Sequence, residues 1–284
     1  MNNNLRRIKI MDSLLVYTFC LVLTLVINLL LTPKIGVFAR MISCLSVITV
    51  TCFTLKRSRM SSKTVFPSEA YTVKTAIGVG SVLAGVILLS VPALLLFHIV
   101  APDFAITGFH VLDQSPEPGK YFWTAALIIL SAIANTVLFD GYLYTNFKNP
   151  QKPFVQVLFC SVTYTLFFAD IYLLIPLAIV EGGICYVRAK TENIKLSFIM
   201  QLFASSGAYG VLQFSSKSST FFGENEGAAK IIGMAMIFLG VSMLLLWLST
   251  SMLDKKSRLT SLGKLLTVVL FIIFLAIGSG LASL

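Results

Sequence analysis

Apolar residues run along the chain in long blocks, near 11–31, 36–55, 72–99, 120–147, 154–169, 171–188, 195–214, 228–250 and 262–282, with short polar connections between them. A helix needs about 20 apolar residues to cross a hydrocarbon core about 30 Å thick, and most of these blocks have that length. The pattern predicts an all-α fold, a polytopic transmembrane helical bundle of eight or nine spans forming one transmembrane domain over residues 1–284. The block at 154–169 is the shortest, about 16 residues or roughly 24 Å of helix, and only Asp170 separates it from the next. These two blocks predict a hairpin that turns within the membrane. A turn at that depth has to be covered by protein or line a wet cavity, because lipid cannot satisfy bare peptide groups.

Composition agrees with a lipid environment: 57% of residues are hydrophobic and 12% charged, and the mean hydropathy is +0.89. These values exclude a water-soluble domain. The net charge of +10 comes mostly from connections rich in Lys and Arg, at 6–9, 56–74, 148–152, 188–195 and 255–264. They alternate with connections that hold Asp103, Asp113, Glu117, Glu224 and Glu226. The positive-inside rule assigns the basic set to the cytoplasm, where it also meets the anionic leaflet. Nine spans then leave the amino terminus inside and the carboxyl terminus outside. No basic stripe interleaved with aromatics points to nucleic acid, and no glycine loop is built to cradle phosphate. The first block follows Arg6, Arg7 and Lys9 but extends to about Leu31 without a small-residue cleavage site, so it reads as a retained helix rather than a secretion signal. Cys20, Cys44, Cys52, Cys160 and Cys185 all lie in apolar runs, where thiols pack as small hydrophobes. His98 and His110 have no second ligand at metal spacing, so no metal site and no cofactor are expected.

Polar residues interrupt the later blocks in clusters: Asn135, Thr136 and Asp140; then Asp170; then Gln201, Ser205 and Ser206, with Glu181 a further acid in mid-block. Ionisable groups inside a membrane cost a few kcal/mol or more and normally face a bundle interior. Gln201 and Ser205 are four apart and share a helix face. Arg188 lies about two turns beyond Glu181; it reads first as a cytoplasmic anchor and second as a counter-charge.

The order of these clusters resembles the CPBP family, membrane proteins of the CAAX-processing and bacteriocin-processing type also called Abi proteins. Its Glu-Glu-x-x-x-Arg frame, with Phe before the Arg and Gly-Tyr-Leu after it, falls on Asn135, Thr136, Phe139, Asp140, Gly141, Tyr142 and Leu143. Its Phe-x-x-x-His frame falls on 166–170 and puts Asp170 at the histidine. Its His-x-x-x-Asn frame falls on Gln201 and Ser205. Between them, Thr191-Glu192-Asn193 stands where the family commonly has Thr-Gly-Asn. The resemblance covers about 120–214, leaving 1–119 as three further spans with an outer loop and 215–284 as the last two spans. It implies a CPBP-like core whose glutamates and histidines activate water for peptide hydrolysis, with metal in some members. Hydrolysis requires a base for the water proton and a group that stabilises the oxyanion. Asn135, Thr136 and Gln201 cannot act as bases, and the family arginine has become an acid.

The resemblance therefore implies a degenerate, non-catalytic member, a pseudoprotease that scaffolds or regulates an envelope membrane protein. The nearest subgroup is the one linked to surface-protein display and lysostaphin resistance in Gram-positive bacteria, and the expected location is a bacterial cell membrane. Alternatives are an intramembrane endopeptidase with rearranged acids and a bacteriocin self-immunity protein. A proton-coupled carrier using Asp140, Asp170 and Glu181 is a third, although no internal repeat accompanies it. Ala76, Gly80 and Ala84 recur every fourth residue on the third block and form a face for helix packing, within the bundle or against a partner. Cysteine-accessibility labelling tests the topology: in a background without native cysteines, Ser115→Cys labels from outside and Ser257→Cys does not. The reverse pattern contradicts the nine-span map.

Overall fold

A computed structural model describes residues 3–58, 60–100, 119–147, 153–168, 173–215, 228–253 and 261–283. Among these the regular structure is all helical, with no strand. The helices are α1 (Asn3–Ile35), α2 (Val37–Arg57), the short α3 (Ser62–Val65), α4 (Val73–Val100), α5 (Lys120–Asn135), α6 (Tyr144–Phe147), α7 (Pro153–Phe168), α8 (Leu174–Thr191), α9 (Ile194–Ser215), α10 (Ala228–Leu253) and α11 (Ser261–Ala282). A π-helical segment, Thr136–Leu143, joins α5 to α6 without a break. Among the described residues the apolar blocks are helical. Among the described residues six helical stretches are long and apolar enough to cross a membrane: Ile10–Ile35, Val37–Arg57, Val73–Ala93, Tyr121–Phe147, Ala229–Leu253 and Leu265–Ala282. α7 is apolar but shorter. Asp170, at the expected hairpin turn, lies outside the described residues, as do the connections at 101–118, 148–152, 216–227 and 254–260.

The chain forms two compact units. The first comprises Met1–Ser68, Thr107–Cys160 and Glu192–Tyr209, and the second Glu69–Ile106, Ser161–Thr191 and Gly210–Leu284.

In the first unit α1 and α2 make a hairpin with a single connecting residue. Gly36 adopts φ 50° and ψ −118°, a left-handed conformation that a side chain resists, and its amide still closes onto Thr32 O at 3.0 Å. α2 turns a four-residue repeat inward, Ser43, Val47, Thr51 and Leu55, all buried. Thr51 returns its hydroxyl proton to Val47 O at 2.8 Å, which keeps a polar side chain harmless on an apolar face. α5 joins through an edge-on contact of Phe38 with Trp123 at 4.9 Å between ring centroids and through Cys44 and Ser131, whose Sγ and Oγ lie 3.5 Å apart. Tyr17 of α1 meets Phe139 of the π segment edge-on at 6.4 Å. These contacts seat the π segment against α1 and α2.

Glycines set the geometry of the second unit. α4 and α10 are antiparallel: a Cβ added at Gly78 would come within 3.0 Å of Leu253, and one at Gly85, seven residues on, within 2.9 Å of Leu246, seven residues back. α8 rests on α4 where Gly183 leaves room for Val86, whose Cγ1 would be 2.6 Å from a Cβ. α10 and α11 cross most closely at Gly233 and Gly278. A Cβ at Gly233 would meet the backbone at Ala282 N and Gly278 O, 2.5 and 2.6 Å away. Lipid gives helices no hydrophobic drive to associate, so close backbone approach supplies the attraction.

Ala76, Gly80 and Ala84 stand apart from this packing. Ala76 and Gly80 are exposed and Ala84 is half-buried, and a Cβ at Gly80 would have nothing within 4 Å. The contrast between the two kinds of glycine is measurable. Gly233→Ala forces α10 and α11 apart and is expected to cost about 1–3 kcal/mol, the range for overpacking, in an SDS-unfolding titration. Gly280→Ala, also in open space, is expected to leave the midpoint unchanged. Equal effects of the two would contradict the glycine crossing.

Candidate functional site

Eight consecutive residues wound as a π-helix inside a span are unusual, since such turns mostly occur singly and cluster at functional sites. Seven of the eight, Thr136 and Leu138 to Leu143, are buried. Asp140 sits in the middle at 0% exposure. Winding to the fifth residue rather than the fourth changes which carbonyls are taken where the segment returns to α-helix, and Tyr144 N donates to both Gly141 O and Phe139 O there. The Tyr144 carbonyl receives Gln156 Nε2 of α7 at 2.9 Å. Gln156 is 4% exposed, so a buried amide side chain satisfies a carbonyl of the helix's last turn, where intrahelical donors run out.

Asp140 faces α9. Gln201, 0% exposed, donates from Nε2 to Asp140 Oδ2 at 3.4 Å. That is long for an amide on a carboxylate, but in a medium without water a buried carboxylate needs every donor it can reach. The polar character extends along both helices. Thr136, 6% exposed, precedes Asp140 by four residues, and Ser197, 0% exposed, precedes Gln201 by four. Neither hydroxyl has a hydrogen-bond partner among the described residues. Other buried hydroxyls return to their own helix, as Thr51 does and as Thr165 does onto Ser161 O at 2.5 Å, while Thr24 and Thr124 share the unpartnered state among the described residues. Asn135, 7% exposed, completes the set on α5. Ser205 lies one turn beyond Gln201 and is half-buried, while the neighbouring Ser206 is exposed and bonds back to Leu202 O at 2.8 Å. Asp140 and Gln201, separate motif positions in the sequence, are thus in contact.

α9 begins with two positioning features. Glu192 has φ 48°, the left-handed region that a non-glycine residue occupies at a cost of roughly 1–2 kcal/mol. Asn193, 1% exposed, caps the helix, its Oδ1 accepting from Lys195 N at 2.9 Å. The Ile194 amide donates to Pro67 O at 2.9 Å, so the connection between α2 and α4 also reaches this helix end.

Glu181 belongs to the second unit. It is 0% exposed and accepts from Cys185 Sγ, one turn along α8, at 3.5 Å. Arg188 lies a further turn on and is only 3% exposed. An interfacial anchor must present its guanidinium to headgroups, so the anchoring role expected from the sequence is corrected: Arg188 is a buried cation. Glu181, Cys185 and Arg188 follow an i, i+4, i+7 row, one face of a helix.

The chain matches no family model, no curated protein and no solved structure.

Of the residues that build this site, Gln156, Pro67 and Ser197 went unnoticed in the sequence. Gln156 alone carried a signal, an amide in an otherwise apolar stretch of its block. The Asp140 and Gln201 contact is testable by a double-mutant cycle on unfolding in mixed micelles. Gln201→Leu alone strips a donor from a buried acid and is expected to cost about 1–3 kcal/mol. Adding Asp140→Leu is expected to recover part of that loss, since replacing both partners by apolar groups can be nearly neutral. Strict additivity would mean the two side chains are not coupled.

Proposed function

We propose that the chain is a catalytically silent membrane protein of the CPBP type, which scaffolds or regulates another membrane protein of the cell envelope. The observation that carries this reading is the contact of Asp140 with Gln201 at 3.4 Å, at the positions where the family frames hold arginine and histidine. An acid with an amide gives a tie between two helices but no imidazole to take a proton. The flanking Asn135 and Thr136 offer a neutral amide and a hydroxyl where a pair of glutamates would bind or activate water. A second support is the backbone of Glu192, whose φ of 48° is the conformation that glycine adopts freely, at the place where the family commonly has glycine. The chemistry of the frame has changed while the geometric demands of its positions persist.

A non-catalytic protein of this type acts through its surfaces, and the expected partner is a membrane protein, with the lipid bilayer as its solvent. The test uses full-length protein in nanodiscs, incubated with prenylated and leader-bearing peptides with and without zinc. No cleavage is expected, and Asp140→Asn together with Asp170→Asn is expected to leave the cellular phenotype intact. Metal-dependent turnover abolished by either substitution would overturn the reading in favour of an endopeptidase with rearranged acids. Purification from native membranes followed by mass spectrometry is expected to return a stoichiometric envelope protein.

A further inference from the structure

The connection between α2 and α4 is more ordered than a surface loop needs to be. Ser58 closes α2 by donating its hydroxyl to Thr54 O at 2.7 Å, Met60 N reaches Leu55 O at 3.3 Å, and Thr64 N and Val65 N both return to Ser61 O. The one turn of α3 ends in Val65 at 0% exposure. The next two residues each touch a helix that carries one half of the buried polar pair. Phe66 lies over Gly141, where a Cβ would stand 2.6 Å from Phe66 Cε1 and 3.3 Å from Cδ1. Pro67 accepts the Ile194 amide at 2.9 Å, one of the helix-start donors that has no partner within its own helix.

We propose that Val65–Pro67 is a staple that positions the buried pair. Gly141 is the residue after Asp140, and Ile194 lies two turns before Gln201 on α9. Fixing these two points relative to one another sets both the rotation of the π segment and the height of α9. The hydrogen bond between Gln201 and Asp140 is long, 3.4 Å, and a bond of this kind contributes only about 1 kcal/mol net. Two independent contacts from one short segment hold the two helices in register, and the segment is anchored by the burial of Val65. Glycine at 141 is then required for the ring above it, because any Cβ there displaces Phe66. Phe66 and Pro67 are positioning residues, acting through Gly141 and Ile194. The inference rests on the geometry of the first unit and stands whether or not the chain is a pseudoprotease.

The experiment is a spin-label distance measurement on full-length protein in nanodiscs, with native cysteines replaced and labels at Ile129→Cys on α5 and Phe203→Cys on α9, both exposed side chains. The wild-type background is expected to give one narrow distance distribution. Phe66→Ala is expected at least to double its width, and Phe66→Leu, which keeps bulk over Gly141, to restore most of the narrowness. Gly141→Ala is expected to broaden it as well, and the double variant Gly141→Ala with Phe66→Ala to be no broader than Phe66→Ala alone, because the clashing ring is gone. That non-additivity separates a staple from general loosening. A distribution that stays narrow in Phe66→Ala overturns the proposal. Should that variant not yield folded protein, Gly141→Ala carries the test alone, and an unchanged width there overturns it equally.

Discussion

A carboxylate inside a lipid-embedded helix has no water to turn to, and the arrangement around Asp140 follows from that constraint. Backbone groups at such depth must be satisfied by the protein, and so must a charged or strongly polar side chain. The π segment, the approach of Gln201 from another helix and the return of the Tyr144 carbonyl to Gln156 all answer the same shortage of hydrogen-bond partners. The Tyr144 carbonyl lies in the last turn of its helix, where no intrahelical donor remains, so Gln156 of a neighbouring helix supplies one and packing in the first unit completes the span's hydrogen bonding.

The second unit meets a different version of the constraint. Its helices are strongly apolar and have little to gain from hiding in one another, since lipid is as apolar as leucine. What brings α4, α8, α10 and α11 close is the absence of side chains at Gly78, Gly85, Gly183, Gly233 and Gly278. Glu181, Cys185 and Arg188 are buried on the helix that Gly183 brings against α4. Close approach and burial of charge therefore go together: a helix that packs tightly enough to exclude lipid also has to accommodate its own polar row.

Function follows from what the buried groups are able to do. Amides and hydroxyls hold geometry and exchange hydrogen bonds, but they do not abstract protons near neutral pH. Asn135, Thr136, Ser197 and Gln201, on the elements that carry and face Asp140, are suited to fixing helices in a particular arrangement.

Much of the architecture was legible in the chain. Nine apolar blocks announce nine helical stretches because helix is the structure that satisfies its own backbone in lipid, and the polar clusters at 135–140, 181 and 201 stand out because such residues are costly there. Gly36, Gly233 and Gly278 were visible as letters, but which glycines meet a neighbour and which, like Gly80, face open space depends on helix rotation, and block hydropathy does not encode rotation when every face is apolar. The winding of 136–143 was hidden for a related reason, since π and α turns draw on the same residues and differ in what surrounds them. Arg188 read as an anchor because its position near a block end says nothing about which way it faces. Sequence alone determined that this chain is helical, rich in membrane-spanning length and polar at a few chosen points, because those properties are fixed by each segment's own hydrogen bonding and solvation. Only the tertiary structure decided that Asp140 meets Gln201 and that Phe66 lies on Gly141, because contacts between segments about 60 to 75 residues apart are set by packing, which no single stretch of sequence contains.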